Sequence, residues 1–263
     1  MSVEVTPTVR PIWSQLGNAL SVFLALVLLI VLWQLSIMVF KISPGVLPQP
    51  NAVFHSLVDQ GGFLWESASS TAINALTGLA FSILLGIPLG WVLAQPSRIQ
   101  AALSATTLAA QIFPKIALAP LFVVWLGFGI VPKVLYIFWL GFFPVMINAA
   151  AGFSSMPTDL RDLAVILKMK RLQRLWNLEL PFALPSIFTG VKISASFAMT
   201  AAIVYEFVGS STGIGYTILQ TQINLNTKLM FAGFIVVALI GFAIYGVVAG
   251  VERFAIPWHV SRR

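Results

Sequence analysis

The sequence has no cysteine and only two histidines, His55 and His259. Without cysteine the chain can form neither disulfides nor thiolate metal sites, and two histidines this far apart do not suggest a metal cluster. Charge is scarce as well, since Asp, Glu, Lys and Arg make up 9% of the 263 residues, against about 25% in soluble domains. Hydrophobic residues make up 59%. This composition excludes a soluble globule and a disordered chain, and it predicts a membrane protein.

Motifs of catalysis are missing too. The phosphate loop G-x-x-x-x-G-K-[ST] does not occur, so the chain cannot bind ATP by that mechanism. There is no H-E-x-x-H sequence, and no pair of intramembrane carboxylates can be assembled. We therefore expect a chain that is not an enzyme and that holds no cofactor or metal ion of its own.

Six long stretches with few charges are the first map of the fold. Crossing a hydrocarbon core about 30 Å thick takes roughly 20 apolar residues in a helix. The predicted spans are residues 19–40, 71–94, 101–126, 134–153, 185–207 and 229–251. They predict an all-α membrane protein in which residues 1–263 form one domain.

Two of these spans have distinctive residues. In the second, Gly78, Gly86 and Gly90 supply small surfaces on which transmembrane helices pack closely. The third is interrupted by Pro114, Lys115 and Pro120, so we expect it to be kinked or partly unwound. Both prolines are expected to shape this span, and to touch the substrate of a carrier only if the break lies at the membrane midplane.

The distribution of Lys and Arg predicts the orientation. Six spans place both termini on one side, and with the termini inside, ten of the 15 cations are cytoplasmic: Arg10, Arg98, Arg161, Lys168, Lys170, Arg171, Arg174, Arg253, Arg262 and Arg263. The external segments hold Lys41, Lys133 and Lys228. This excess follows the positive-inside rule, so the net charge of +7 requires no nucleic acid as a partner.

The predicted cytoplasmic loop, residues 154–184, holds five of those ten cations. Its opening, residues 156–159, has helix-start chemistry, and Pro181 and Pro185 are expected to end the helical run. Apolar residues recur among the charges at spacings of three and four, which predicts short amphipathic helices. Such helices could lie on anionic headgroups or could dock on a cytoplasmic partner.

The same loop resembles the coupling motif of ABC-importer permeases, which reads E-A-A, three residues, Gly, nine residues, I-x-L-P. Every spacing of the motif is kept. Asp162, Leu163 and Ala164 fall on E-A-A, Lys168 falls on Gly, and Leu178, Glu179, Leu180 and Pro181 fall on I-x-L-P. Flanking segments resemble the nitrate/sulfonate/taurine-type subfamily, and together the likeness covers roughly residues 20–257. These segments are residues 47–53, 114–121, 125–129, 142–144, and Glu206 with residues 213–215.

This resemblance implies a type I ABC-importer permease fold in a bacterial inner membrane. The implied assembly is a homodimer of permeases with two cytoplasmic ATPase subunits, which carry the ATP, and an external solute-binding protein. The implied activity is import of a small solute, an oxyanion or a sulfonate, by alternating access. Import of a vitamin precursor or another small organic molecule is the alternative within the family. Outside it, the alternatives are a standalone secondary carrier and a membrane scaffold or insertion factor.

Among the positions at which this sequence departs from the motif, two bear on how the loop could couple. A glycine would allow a left-handed turn between two coupling helices, whereas Lys168 would cost roughly 1 kcal/mol or more there. Either the turn is not left-handed in this chain, or the helices join differently. Asp162 is one methylene shorter than Glu, so any contact it makes to an ATPase reaches less far.

Two charged residues, Lys115 and Glu206, are the ones that membrane topology explains least. Lys115 either lines the pathway and attracts an anion or is a lysine that snorkels or pairs locally near a helix break. Glu206, at the external end of span five, either braces an outer gate or faces the translocation cavity, unless it lies at headgroup level. Gly213 and Gly215 follow it and suit a turn or re-entrant corner.

Overall fold

A computed structural model describes residues 12–95 and 113–257, and all the regular structure within these ranges is helical. The α-helices are α1 Ile12–Phe40, α2 Pro50–Asp59, α3 Gly61–Leu93, α4 Ala119–Leu126, α5 Ile130–Ser154, α6 Thr158–Ile166, α7 Arg171–Arg174, α8 Leu180–Gly209, α9 Ile214–Ile223 and α10 Thr227–Ala255. A 3₁₀ turn, Lys115–Leu118, precedes α4, and a π-helical segment, Leu175–Glu179, joins α7 to α8.

Within residues 12–95 and 113–257, five helical stretches are long and apolar enough to cross a membrane. The predicted spans 19–40, 134–153 and 229–251 lie within α1, α5 and α10. The third predicted span, residues 101–126, lies mostly outside the described residues. Its described end is broken as predicted, because a 3₁₀ turn follows Pro114 and a separate short helix begins at Ala119.

Helices α3 and α8 begin before the predicted spans two and five, at Gly61 and Leu180. Helix α3 begins at Gly61, ten residues before the predicted start of 71, and includes Glu66. Charge marks where a chain leaves hydrocarbon, but a helix can continue into the polar region without a break. The boundary of the hydrophobic run was therefore not the boundary of the helix.

Pro181 and Pro185 do not end the run of loop helices either. Pro181 lies in the first turn of α8, directly after the π turn, and Pro185 lies inside α8. The preceding π turn carries the chain past this position, with the Leu180 N–H bonded to the Leu175 oxygen. A continuous helical path consequently runs from 171 to 209.

The centre of the structure is a layer in which α5 packs between α3 and α8. The predicted small surfaces of α3 are confirmed: a Cβ added at Gly78 would overlap Ile137, one at Gly86 would overlap Val145, and one at Gly90 would overlap the Met146 oxygen. On the other face of α5, glycines of both helices make equally close approaches. These are Gly141 against Ser194, Gly152 against Ala183, and Gly190 against Pro144.

This packing sets polar residues at two ends of the layer. Thr71, early in α3, meets Glu206, near the end of α8. Trp91, in the last turn of α3, meets Glu179, just before α8 begins. Helices α3 and α8 are therefore antiparallel, and we call these two regions the corner end and the loop end.

Candidate functional site

At the corner end, the carboxylate of Glu206 joins four helices. The residue is 1% exposed. Thr71 Oγ1 donates to its two oxygens at 2.8 and 3.1 Å, Lys133 Nζ lies 3.1 Å from Oε1, and the Gly215 N–H donates to Oε2 at 2.7 Å. These partners come from α3, α5 and α9, while Glu206 itself belongs to α8. Because a buried charge is costly unless it is paired and hydrogen-bonded, these contacts are what permits a carboxylate at this position.

Lys133, which the sequence places in an external segment, is a buried member of this cluster that the sequence did not indicate. The residue lies in the first turn of α5 and is 2% exposed, with its ammonium against Glu206. The two residues are 73 positions apart in sequence, so no local pattern could join them. Thr71 is a second residue of this cluster that sequence reasoning missed. The sequence indicated it only as the first residue of a span.

The glycine corner is built on the same carboxylate. Helix α9 has no side-chain cap of its own, and Gly213, which precedes it, has a φ of 104°. The Ile214 N–H donates to Thr71 Oγ1 at 2.9 Å, next to the bond from Gly215 to Glu206. A Cβ at Gly213 would overlap the carboxylate. Side chains of α3 and α8 thus satisfy the first N–H groups of α9.

Lys115 is not among the partners of Glu206. It opens the 3₁₀ turn after Pro114, is half-buried, and its Nζ lies 4.3 Å from the ring centroid of Phe143. No carboxylate pairs with it among residues 12–95 and 113–257. Both Pro114 and Pro120 are exposed, and Pro120 lies in the first turn of α4. This cation is held by an aromatic face and retains unused donors.

At the loop end, Lys168 occupies a left-handed turn. Its φ is 49°, the Met169 N–H donates to the Ala164 oxygen at 3.0 Å, and its own N–H donates to the Val165 oxygen at 2.9 Å. This is the bonding of a Schellman motif, which usually has glycine at this position. The alternative of a turn that is not left-handed is therefore wrong, and the lysine adopts the conformation that a glycine would favour.

One face of α6 is apolar and has no partner among the described residues. Ala164 is buried against the body of the protein, whereas Val165 and Ile166 are 69% and 74% exposed. Asp162 is exposed and lies one turn before Ile166, on the same side. The exposed apolar side chains of this region, which we call the loop surface, are Leu163, Val165, Ile166, Leu167, Leu172 and Trp176.

The remaining motif residues do not lie on the loop surface. Leu178, Leu180 and Pro181 are half-buried where the π segment passes into α8. Arg161 fixes α6 to the preceding helix, because its guanidinium lies 3.2 Å from the Ser154 oxygen and 3.4 Å from the Phe153 oxygen at the end of α5. The loop thus has an exposed face, and it is attached to α5 through Arg161 and to α8 through residues 178–181.

Comparison with known proteins gives matches along nearly the whole chain. The family described as "Binding-protein-dependent transport system inner membrane component" matches residues 86–256. The riboflavin transport system permease protein RibX of Chloroflexus aurantiacus is 32% identical, over 98% of this chain and 97% of its own. The putative aliphatic sulfonates transport permease protein SsuC of Bacillus subtilis is 32% identical, over 89% of this chain and 85% of its own.

A solved structure has the same fold. A chain from the inward-facing MetNI methionine ABC transporter superposes with a TM-score of 0.64, covering 73% of this chain and 95% of that one. The two sequences are 17% identical. This similarity supports the helical architecture that the resemblance implied.

The contacts of Glu206 at the corner end predict that the stability effects of mutating Lys133 and Glu206 are strongly coupled. Glu206→Gln leaves a buried ammonium without a counter-charge, and Lys133→Met leaves a buried carboxylate, so each single variant should lose about 3–5 kcal/mol of stability. The double variant leaves no unpaired charge and should recover part of this loss. Thermal unfolding of the purified chain in detergent measures all three. Glu66→Gln, at an exposed site, serves as a control, and strictly additive losses would contradict the pairing.

The loop turn predicts that residue 168 tolerates glycine but not a β-branched side chain. Lys168→Val should weaken the turn by about 1 kcal/mol, because β-branched residues rarely adopt a positive φ. Lys168→Gly should not weaken it. Hydrogen exchange of the α6 amides reports the change locally. Lys170→Val is the matched control, since Lys170 has a φ of −65°, and equal exchange in the two valine variants would argue against a strained turn.

Proposed function

Because the chain belongs to the family of inner-membrane components of binding-protein-dependent transport systems, we propose that it transmits ATP-driven motion from cytoplasmic subunits to a solute pathway. It is a multi-pass transport permease and not an enzyme. The observation that carries the proposal is the loop surface, an exposed apolar face in a chain that has no phosphate loop of its own. Exposed apolar patches of this kind mark interaction sites.

An ATPase subunit fits the loop surface better than a lipid headgroup layer does. A helix lying on headgroups turns its apolar face toward the membrane that its own protein occupies. In α6 the buried side, at Ala164, faces the protein, and the apolar residues Val165 and Ile166 are on the opposite side. Asp162 shares that outer face. A protein partner can cover the apolar residues and pair with the carboxylate.

The path of the helix supports transmission. From Arg171 the chain runs through α7, the π segment and α8 without a break in helix. A displacement of the loop therefore moves a membrane-spanning helix directly, and Leu178, Leu180 and Pro181 are the residues at the junction. Ala164 and Lys168 fix the angle between α6 and this path. Alternating access follows if the loop has one position in the inward-open state and another in the outward-open state, and the nucleotide bound to the partner stabilises one of the two.

The proposed assembly has two copies of this chain, two ATPase subunits that bind ATP, and an external solute-binding protein in a bacterial inner membrane with both termini cytoplasmic. The proposed cargo is a small anion, an oxyanion or a sulfonate. Lys115 supports an anion, because it is a half-buried cation with unused donors. Pro114 and Pro120 flank the helix break at which Lys115 lies. The riboflavin transporter among the relatives supports the alternative, a small organic molecule.

Docking on an ATPase can be tested by purification from membranes. A tagged chain should bring down an ATP-hydrolysing subunit that contains a phosphate loop, and Asp162→Arg or Ile166→Arg should reduce its recovery and the transport-coupled hydrolysis. Asp59→Arg, in the exposed part of α2, is the matched control. Failure of the unaltered chain to recover any ATPase would count against the proposal, as would equal recovery with Asp162→Arg and Asp59→Arg.

A pathway role for Lys115 can be tested by uptake. Proteoliposomes holding the complete complex are offered nitrate, taurine or riboflavin with the external binding protein present. We expect uptake of an anion, and Lys115→Gln should raise the half-saturating concentration about threefold or more, since removal of one charge in a partly buried site is worth about 1 kcal/mol or more. Lys41→Gln, at an exposed site, should leave it unchanged. Uptake of riboflavin alone would favour the organic cargo, and an unaltered half-saturation for the anion would exclude Lys115 from the pathway.

A further inference from the structure

Glu179 is a buried carboxylate in a region where the sequence predicts an exposed loop. The residue is 5% exposed, although four of the chain's cations lie between 168 and 174. Both of its oxygens are engaged. Trp91 Nε1 donates to Oε2 at 2.7 Å, and Arg174 Nε lies 2.7 Å from Oε1. Glu179 occupies the variable position of the I-x-L-P motif, so no sequence feature indicated it.

The partners of Glu179 come from separate elements. Trp91 belongs to the last turn of α3, and Arg174 ends α7. Arg174 also reaches Gln95, just past the end of α3, with its guanidinium 3.4 Å from Gln95 Oε1. The cluster therefore links the last part of the loop, residues 171–179, to the end of a different membrane-spanning helix, α3.

The π segment explains how one carboxylate reaches both partners. In an α-helix of 3.6 residues per turn, residues five apart lie about 140° apart around the axis. A π turn is wider, closes bonds between residues five apart and stacks such residues on one side. Arg174 and Glu179 are five residues apart, at either end of this turn. The wide turn thus brings the guanidinium over the carboxylate while the carboxylate still faces Trp91.

We propose that Glu179 is a positioning residue that ties the loop to α3, so that a displacement of the loop moves α3 together with α8. This rests on the proposed function, because it assigns a second output to the same loop. Without the tie, the contact of α7 with the end of α3 would be left to the longer Arg174–Gln95 bond, and motion of α7 would reach α8 more directly than α3. With it, one displacement moves two helices on opposite faces of α5, which is what rotation of a packed layer as one body requires.

The absence of cysteine makes the test direct, because single labels can be placed without background. Leu89→Cys labels an exposed position on α3, and Arg171→Cys labels an exposed position at the start of α7, outside the loop surface. In the complete transporter, distances between spin labels on the two copies of the chain are measured without nucleotide and after trapping with ATP and vanadate. In the unaltered protein, both label pairs should change distance.

The decisive variants are Glu179→Gln and Trp91→Phe. The first removes the charge that attracts Arg174, and the second removes the indole donor while keeping an aromatic ring. Each should reduce the nucleotide-dependent change at residue 89 about twofold or more, a size in line with mutational effects on coupling between sites. The change at residue 171 and the recovery of ATPase subunits should persist. If Glu179→Gln does not fold, Trp91→Phe decides the question.

A matched control comes from a second ion pair of α8. Lys192 Nζ lies 2.8 Å from Glu252 Oε2 on α10, and this pair makes no contact with the loop. Glu252→Gln should leave both distance changes intact. A full change at residue 89 in the Glu179→Gln and Trp91→Phe variants would overturn the tie to α3. If the unaltered chain recovers no ATPase, or neither label pair responds to nucleotide, the proposed function itself fails.

Discussion

The close approach of α3, α5 and α8 is the constraint on which both polar clusters depend. Gly78, Gly86 and Gly90 let α3 lie directly on the backbone of α5, and Gly190 does the same for α8. Because both helices pack so closely on α5, side chains of α3 and α8 meet each other at the corner end and at the loop end. Because the two helices are antiparallel, the start of one lies beside the end of the other. A bulkier α3 face would separate Thr71 from Glu206 and Trp91 from Glu179 together.

The two clusters differ in how their charges are held. At the corner end, the side chains of Lys133 and Glu206 are 3% and 0% exposed, and the carboxylate accepts from three elements besides its own. Separating such a pair would strand two charges in a medium of low dielectric constant, so it suits a fixed brace. At the loop end, the Arg174 side chain is 28% exposed. Water can solvate part of the guanidinium while the contact stays closed, so the pair holds the loop to α3 without burying two full charges.

Hydrophobic length predicted where α1, α5 and α10 cross, because the apolar run and the helix nearly coincide there. Helices α3 and α8 begin ten and five residues before the predicted spans, because neither Glu66 nor the two prolines of α8 ends a helix. Motif spacing predicted the loop turn at residue 168. The clusters themselves could not be predicted: Lys133 and Glu206 are 73 residues apart and Trp91 and Glu179 are 88 apart. Their pairing comes from helix packing, which leaves no periodic pattern in the sequence.

The lysine at residue 168 shows that spacing constrains this loop more strongly than residue identity does. A left-handed conformation costs an L-residue about 1–2 kcal/mol. The two Schellman bonds satisfy carbonyls at the end of α6 that would otherwise need solvent. A cation just beyond the C-terminus of a helix also gains about 0.3–1 kcal/mol from the helix dipole, a gain that glycine lacks. These contributions are similar in size to the conformational cost. The turn therefore persists because Ala164, on the body of the protein, and the helical path from Arg171 leave the chain only this route between them.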